Sequence, residues 1–407
     1  MIVRARAAIT MCGAPIEDAA VAVADGTITA AGPWDKLRSD KAGEVVDLGD
    51  HVLLPGLINA HCHLDYTGMR GSIPPPSSFA EWVRAINERK AALQAEDYLR
   101  AIADGFAEAA AFGTTTLCNL EAFPELLVQI PRPRLRTWWF AEMLDVRGRV
   151  DAGELHARIA AVFAEREGWL GGIGLAPHAP FTASAELYAD AAAVAREHQL
   201  PLTTHLAESH EEMEMFANAK GSLFEFLRSI GRPTGDCGGA TPLAVFLATG
   251  VFDERWIVAH LNELTVDDLQ LLGTGPKFHV VHCPRSHAYF RHSPFKMHEL
   301  RALGFNICVG TDSLASNSDL SLFAELRQLR RDNASLRAVD LLEMVTINPA
   351  RALNEEDSLG CLAPGFHADL IAIPVTTTPG ELLDAVIDFE GAVPWTMVAG
   401  EELTTAR

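Results

Sequence analysis

The sequence has 407 residues, of which 48% are apolar, so it contains enough apolar material for a large core. Its net charge of −21 argues against a nucleic-acid partner, because a phosphate backbone requires a basic surface, and it disfavours anionic membranes. The seven cysteines are never spaced as C-x-x-C, and the sequence shows neither an apolar leader nor a membrane-spanning run. We therefore expect a cytoplasmic protein with reduced thiols.

Eight short apolar runs, separated by helix-like segments, dominate the middle of the chain. Most runs are continuously apolar, as expected of parallel strands that are covered on both faces. Ser184 and Thr265 each precede a helix-like segment and indicate capped helix starts. Strands and helices that alternate eight times predict an α/β fold, the (β/α)8 or TIM barrel. The runs cover residues 52–63, 114–119, 135–143, 173–178, 200–208, 256–262, 278–284 and 306–312.

The two ends of the chain differ from this pattern. Residues 1–54 contain short β-rich pieces with glycine turns, and turns alternate with strand-like runs again in residues 360–407. We therefore predict that 1–54 and 360–407 together form a small β-sandwich-like domain. Residues 55–359 would form the catalytic barrel, with a proline-rich loop at 71–78 directly after its first strand.

Histidines and one aspartate lie at the carboxyl-terminal ends of several predicted strands. Residues i and i+2 of a strand share a face, so the two histidines of the first run project together. The carboxyl-terminal strand ends form the active-site face of a barrel. A single histidine there is more often an ordinary core or surface residue, but the whole set at one face predicts a site for a divalent ion such as zinc. The set is His61, His63, His178, His205, His260 and Asp312.

Two carboxylates near this set are candidates for proton transfer. A catalytic metal leaves one position open, where water loses a proton near neutral pH, and Asp312 is placed to accept that proton. Glu208 follows His205 by three residues and could move a proton onto a substrate atom. An acidic residue at this position is equally suited to cap the helix that starts near Ser209.

Six ordered motifs are similar to those of the amidohydrolase superfamily. They are Pro55-Gly-Leu-Ile-Asn-Ala-His-Cys-His63, Pro177-His-Ala-Pro180, His205-Leu-Ala-Glu208, His282-Cys-Pro-Arg-Ser286, Gly310-Thr-Asp-Ser313 and Gly365-Phe-His-Ala-Asp-Leu370. The chain most resembles the metal-dependent aminohydrolase branch. That branch includes cytosine deaminases, chlorotriazine hydrolases, methylthioadenosine/adenosylhomocysteine deaminases and aminodeoxyfutalosine deaminases.

The resemblance implies a mononuclear metal site. His61, His63, His205 and Asp312 would bind one divalent ion, with Zn²⁺ expected and Fe²⁺ or Mn²⁺ as alternatives. Binuclear relatives carry a carboxylated lysine on the fourth strand, whereas the run 173–178 contains no lysine.

The resemblance also assigns roles in catalysis. Glu208 would shuttle a proton, His260 would polarise the attacking hydroxide, and Asp312 would accept a proton from water. His178 would lie beside the substrate, near a ribose or its substituent.

Four further residues are possible substrate contacts. Trp82 matches a tryptophan of methylthioadenosine deaminases, although a helix-core role suits it as well. The proline that follows it in those enzymes is missing here, and the sequence does not fix the register of the glutamate that comes next. Arg285 and Arg291 could meet an anionic group or stay solvated, and His287 replaces the usual asparagine of its motif. The histidine-rich stretch 279–298 fits a lid or a substrate-contact loop, and a second metal site there is conceivable.

Three functions follow from these observations. The first is a zinc-dependent hydrolytic deaminase, releasing ammonia from an adenine nucleoside derivative. The second is hydrolysis of another C–N bond, in a triazine, a cyclic amide or a guanine- or cytosine-like base. The third is a non-catalytic scaffold, which usually loses ligands that this chain retains. A small-molecule substrate is expected in the first two, and a homo-oligomer is possible.

Overall fold

A computed structural model describes residues 1–38, 44–375 and 377–403 of the chain. Its largest element is a nine-stranded sheet in which every paired neighbour is parallel. We number its strands one to eight in chain order and count Asp312–Ser313 as the continuation of strand eight. Strands one to eight are Leu57–His63, Thr114–Glu121, Arg136–Met143, Gly171–Pro177, Leu202–Leu206, Trp256–His260, His279–His282 and Asn306–Val309.

The two edges of this sheet are consecutive in the chain. Gly310 and Thr311 connect Asn306–Val309, which pairs with strand seven, to Asp312–Ser313, which pairs with strand one. The Thr311 N–H donates to the His61 carbonyl at 3.0 Å. The sheet therefore curls back on itself, and the carboxyl ends of its parallel strands lie together. This confirms the α/β class with a curled parallel sheet and is consistent with the predicted barrel.

Helices fill the connections between the strands. Both predicted helix starts are confirmed, because the Ser184 hydroxyl accepts from Leu187 N–H at 3.2 Å and the Thr265 hydroxyl accepts from Asp268 N–H at 3.1 Å. The α-helices are Trp34–Leu37, Phe79–Lys90, Ala95–Ala111, Ala152–Ala164, Ala185–His198, His210–Asn218, Gly221–Ser229, Pro242–Leu247, Val266–Thr274, Pro284–Phe290, Met297–Ala302, Leu322–Asp332, Ala338–Glu343, Ile347–Ala352 and Leu382–Ile387. Short 3₁₀ helices span Leu64–Met69, Pro124–Gln129 and Pro379–Glu381. Within the described ranges, no helix is both long and apolar enough to cross a membrane.

An eight-stranded sheet combines strands from both ends of the chain. Its strands, in spatial order, are Glu401–Glu402, Trp395–Val398, Leu370–Pro374, His51–Pro55, Ile2–Ala8, Ile16–Ala24 and Thr27–Pro33, and Val45–Asp47 pairs with Ile2–Ala8. The sandwich-like form of this terminal sheet and the domain limits 1–54, 55–359 and 360–407 stay predictions. Residues 39–43, 376 and 404–407 of the predicted terminal domain lie outside the described residues.

The predicted strand 52–63 is wrong as a single element, because Gly56 divides it. His51–Pro55 belongs to the terminal sheet, and Leu57–His63 belongs to the parallel sheet. A Cβ at Gly56 would lie 2.0 Å from Oγ1 of Thr115, so only glycine fits where the chain passes from one sheet to the other. The apolar pattern continues across this junction because both strands are buried.

Candidate metal centre and active site

The four side chains expected to bind metal meet at the carboxyl-terminal end of the parallel sheet. His61 and His63 lie on strand one, His205 on strand five and Asp312 on the continuation of strand eight. Nε2 of His63 lies 3.2 Å from Nε2 of His205. Oδ1 of Asp312 lies 3.8 Å from Nε2 of His61 and 3.8 Å from Nε2 of His63. The ligand atoms therefore surround a space of the size that one cation requires.

The imidazoles of this cluster are suited to bind a metal. Burial lowers the pKa of His63 and His260 well below the ordinary value and lowers that of His205 to about 4, so these rings are neutral and offer a lone pair. Nε2 of His61 and Nε2 of His260 are buried with no hydrogen-bond partner among the described residues. Unpaired buried polar atoms are rare, and imidazole nitrogens beside a carboxylate fit a divalent cation. His260 also groups with His61 and His205, so it lies at the edge of the same cluster.

Three strands end in left-handed backbone at this site. The φ angles are 50° at Ala207, 77° at His260, 50° at Leu261 and 56° at Asp312. Such angles cost non-glycine residues about 1–3 kcal/mol each and are concentrated at functional sites. The strained turns follow strands five, six and eight directly, so they set the directions in which Glu208, His260 and Asp312 leave the sheet.

Two serine hydroxyl groups hydrogen-bond to one carboxylate oxygen of Asp312. Ser286 Oγ donates to Oδ2 at 2.6 Å and Ser316 Oγ donates to the same atom at 3.2 Å. Burial alone would raise the pKa of the Asp312 carboxyl, but the neighbouring imidazoles of His61, His260 and His63 outweigh it and hold the pKa well below the ordinary value. Oδ1 remains directed at the histidine cluster.

The pKa of Glu208 is shifted in the opposite direction. Burial, followed by the charges of Asp312 and Glu212, raises the pKa of Glu208 well above its ordinary value. Oε1 of Glu208 lies 3.7 Å from Nε2 of His260. The helix-capping alternative for Glu208 does not hold, because the Ser209 side chain caps the helix and accepts from Glu212 N–H at 3.2 Å. Glu208 therefore remains available as a proton donor.

One pocket opens onto this cluster. Its floor contains three of the four metal-site residues, His63, His205 and Asp312, together with Glu208. Its walls come from the helix Phe79–Lys90 and from the ends of strands three and four. Its lining includes His63, Tyr66, Phe79, Trp82, Lys90, Glu142, His178, Phe181, Thr182, His205, Glu208, Asp312 and Ser313.

Two of the five predicted substrate contacts, His178 and Trp82, reach this pocket, and Arg291 does not line it. His178 lies on the wall, and Trp82 packs against Phe79 while its indole N–H donates to the Ala315 carbonyl at 3.4 Å. Arg285 does not line the pocket, because its guanidinium is engaged by the Asp319 carboxylate at 2.6 Å. His287 does not line it either, and its Nδ1 lies 3.0 Å from Oδ1 of Asn262. The substrate roles of Arg285 and His287 stay predictions that this geometry does not favour.

The histidine-rich stretch 279–298 forms no metal-ligand group within the described part of the chain. His282 stacks on Phe295 with ring centroids 4.0 Å apart, and Nδ1 of His279 lies 2.8 Å from the Asn306 amide. The Tyr289 hydroxyl donates to the Ile73 and Pro74 carbonyls at 3.0 Å and so ties this stretch to the proline-rich loop after strand one. The described residues therefore give no support to a second metal site in this stretch, and a lid or substrate-contact role for it stays a prediction.

Sequence reasoning missed several functional side chains. Glu142 and Lys90 line the pocket, and Ser286 and Ser316 hold Asp312. Glu142 carried the same signal as the histidines, because it is a polar residue at the carboxyl end of a buried strand. The serines carried no comparable signal.

Comparisons with known proteins agree with this geometry. The amidohydrolase family profile matches residues 52–403. A 5-methylthioadenosine/S-adenosylhomocysteine deaminase of Syntrophobacter fumaroxidans is 30% identical over 374 residues, covering 89% of this chain and 81% of the relative. A zinc-bound adenosine deaminase of Xanthomonas campestris superposes with a TM-score of 0.81 at 25% identity, covering 98% of this chain and 92% of that one. An aminofutalosine deaminase of Helicobacter pylori shares the fold, with a TM-score of 0.85, 22% identity and coverage of 99% and 100%.

Proposed function

Because the chain belongs to the amidohydrolase family, we propose that it is a hydrolytic deaminase that acts on an adenine nucleoside derivative. It is an enzyme of the aminohydrolase type, and its relatives are named as deaminases of adenine nucleosides. One observation carries the proposal: two buried carboxyl groups with opposite pKa shifts, Glu208 and Asp312, line one pocket beside a histidine cluster. Such a pair supplies the acid and the base of a hydrolysis.

We propose that His61, His63, His205 and Asp312 hold one divalent ion and that the ion is zinc. Neutral imidazoles with one carboxylate are ligands that zinc prefers, whereas Mg²⁺ prefers oxygen ligands. When bound, such an ion lowers the pKa of water to near neutrality and so supplies a nucleophile.

The protein groups then move two protons. Asp312, whose Oδ2 is fixed by two serine hydroxyls, accepts the proton that the nucleophilic water releases. Glu208 donates its proton to the ring nitrogen next to the amino-bearing carbon, so that this carbon can be attacked. Nε2 of His260, 3.7 Å from Oε1 of Glu208, is placed to hydrogen-bond the oxygen that adds to the ring. Asp312 then passes its proton to the amino group and the hydroxyl of the adduct returns a proton to Glu208, so that collapse of the adduct expels ammonia and leaves a carbonyl group on the ring.

Ammonia release by the zinc-loaded protein tests this proposal. The panel contains aminodeoxyfutalosine, methylthioadenosine, adenosylhomocysteine, adenosine and adenine, with cytosine, guanine and a triazine as outsiders. We expect turnover of at least one adenine nucleoside at a kcat/KM above 10-fold that of every outsider, a margin of about 1.4 kcal/mol. Turnover of the triazine or cytosine alone would replace the proposal with the other C–N hydrolase. An oligomeric assembly and a cytoplasmic location stay predictions.

A further inference from the structure

Glu208, the proposed proton donor, follows strand five, and its backbone is held on both sides. Its N–H donates to the carboxylate of Glu212 at 2.7 Å. Its carbonyl accepts from the side-chain amide of Asn262, in the turn after strand six, at 3.2 Å. No backbone N–H of the described residues donates to that carbonyl. The Asn262 amide therefore fixes the plane of the peptide group between Glu208 and Ser209.

Backbone hydrogen bonds join the turns that follow strands five and six. The Leu261 N–H donates to the Leu206 carbonyl at 3.0 Å, and the Glu263 N–H donates to the Ala207 carbonyl at 2.9 Å. Asn262 lies between these two bonds and is only 2% exposed. Because the backbone is fixed on both sides of Asn262, its side chain reaches the neighbouring turn in one direction.

His287 sets the orientation of the Asn262 amide. It lies on the helix Pro284–Phe290, and its Nδ1 is 3.0 Å from Oδ1 of Asn262. A carbonyl oxygen can only accept, so the amide nitrogen must face Glu208 and the amide oxygen must face His287. Burial lowers the pKa of His287 to about 4, so the ring is neutral and its single N–H lies on Nδ1. His287 therefore donates to Asn262, and Asn262 donates to the Glu208 carbonyl.

Neither Asn262 nor His287 lines the pocket in which the substrate is expected. Their chain of hydrogen bonds ends at the backbone of Glu208, whose Oε1 lies 3.7 Å from Nε2 of His260. The chain leaves strand five through left-handed backbone at Ala207, where φ is 50°. A strained turn persists only where the surrounding contacts hold it, so losing such a contact should move the side chain that the turn carries.

We propose that Asn262 and His287 are positioning residues, which hold Glu208 at the distance and angle that proton transfer requires. The inference rests on the proposed deaminase function, in which Glu208 donates a proton to the substrate. Neither residue touches the substrate in this assignment. Both should therefore affect the rate of the chemical step and leave substrate binding unchanged.

The first test combines Asn262→Ala with Glu208→Gln in the zinc-loaded enzyme. Misplacing a catalytic group by about 1 Å costs about 100-fold, so Asn262→Ala should lower kcat about 10- to 100-fold and change KM less than about threefold. The Glu208→Gln enzyme has no proton donor left to position, so Asn262→Ala should lower its kcat less than about threefold further. Asn218→Ala, at an exposed position, is the control and should leave kcat unchanged.

The outcomes of this test separate the inference from the function on which it rests. Equal losses of kcat in the two backgrounds would give Asn262 a structural role only and overturn the inference, while the deaminase function would stand. Ammonia release from none of the panel compounds by the unaltered enzyme would overturn both.

The second test uses His287→Leu and His287→Asn, which keep the inference testable if Asn262→Ala fails to fold. Leucine has no donor, so His287→Leu should lower kcat about 5- to 10-fold, the value of one ordinary hydrogen bond. Asparagine places an amide nitrogen where the imidazole has Nδ1, so His287→Asn should retain at least about half of kcat. Equal losses in the two variants would contradict donation to Asn262. The exposed His298→Leu is the control and should keep full activity.

A measurement that needs no turnover tests the direction of the first hydrogen bond. The nitrogen NMR spectrum of protein labelled on histidine distinguishes an imidazole protonated on Nδ1 from one protonated on Nε2. The His287 signals are those absent from the spectrum of His287→Asn. We expect the form protonated on Nδ1 at neutral pH, and any other form would contradict the inference.

Discussion

Glu208 and Asp312 show how one pocket separates the pKa values of two carboxyl groups. Glu208 is buried in protein and faces the like charges of Asp312 and Glu212, so its pKa is raised well above the ordinary value and its protonated form is favoured. Asp312 is equally buried, but the imidazoles of His61 and His260 outweigh that burial and lower its pKa. Residue type alone could not assign the acid and the base, because the difference arises from the neighbours.

Replacing Glu208 with Gln should lower kcat by about 10²- to 10⁴-fold, the usual contribution of a general acid. The raised pKa means that the proton-donating form prevails below that pKa and is lost as the pH rises through it. The unaltered enzyme should therefore lose activity on the alkaline side, and the residual activity of the variant should lack that limb. Glu186→Gln, at an exposed position, is the control and should keep the full profile. A variant with unchanged kcat would remove Glu208 from the mechanism.

Asp312→Asn should abolish measurable turnover, because the amide can neither accept the proton from water nor replace a carboxylate ligand. Turnover and bound zinc are measured together, the latter by elemental analysis. Asp267→Asn, on an exposed first helical turn, serves as the control. An active, metal-dependent Asp312→Asn enzyme would contradict the role given to this residue.

Among the elements, the junction at Gly310 matters most for the site. A Cβ at this position would lie 2.7 Å from the His61 carbonyl oxygen and 2.8 Å from the His61 Cβ. Gly310→Ala should therefore push strand eight away from strand one and displace two metal ligands, at a cost of about 1–3 kcal/mol. We expect weaker zinc binding in a chelator competition assay. Gly148→Ala, where a Cβ meets nothing within 4 Å, should bind zinc normally.

The turn after strand five is held by Glu212. Its buried carboxylate accepts from Glu208 N–H at 2.7 Å and from Ala207 N–H at 3.2 Å, and burial raises its pKa to about 7. At a pH between 4.5, the ordinary pKa of a glutamate, and about 7, the folded state holds a proton that the unfolded chain has released. Stability therefore declines as the pH rises through that window, by up to about 3 kcal/mol for this group.

Glu212→Gln should make the free energy of unfolding fall less steeply with pH. The measurement is urea unfolding at pH values from 4.5 to 8. Glu214→Gln, at the exposed position two residues later, should leave the decline unchanged. A variant whose stability falls with pH as steeply as that of the unaltered chain would show that other buried carboxyl groups cause the effect.

The sequence predicted those strands and helices that an apolar pattern or a capping residue indicates. Continuous apolar runs and the caps at Ser184 and Thr265 identified strands and helices correctly. The junction at Gly56 was missed because its cause is Thr115, a neighbour distant in sequence. Arg285 was assigned to the substrate because its partner Asp319, 34 residues away, cannot be seen from the motif.

For the whole molecule, metal binding and stability are linked. The histidine cluster contains buried nitrogens without partners among the described residues, so a bound ion would satisfy groups that the metal-free fold leaves unpaired. A ligand at 100 times its Kd adds about 2.7 kcal/mol to the free energy of unfolding. We expect zinc to raise the Tm and a chelator to reverse this increase. The protein should bind one zinc ion per chain. His61→Ala should lose the shift, whereas the exposed His298→Ala should keep it.

The metal cluster was predictable at this scale because the strand ends of a barrel converge, so residues distant in sequence could be placed together. Lys90 was not, because no ligand pattern marked it, and Glu142 was overlooked although it is a polar residue at the carboxyl end of a buried strand, as the histidines are. Their importance appears only when the end of strand three and the helix Phe79–Lys90 are seen across one pocket.

The shared terminal sheet has a consequence for how the chain is synthesised. The strand His51–Pro55 pairs with Leu370–Pro374, which leaves the ribosome more than 300 residues later. At about 5–20 residues per second, this delay lasts roughly 15–60 s. For that time the first strands of the nascent protein have an unpaired apolar edge, and strand one, which follows them directly, has no partner on its strand-eight side. The nascent chain should therefore depend on chaperones. A ribosome-bound chain that stops before Leu370 should be cleaved by added protease within residues 1–55.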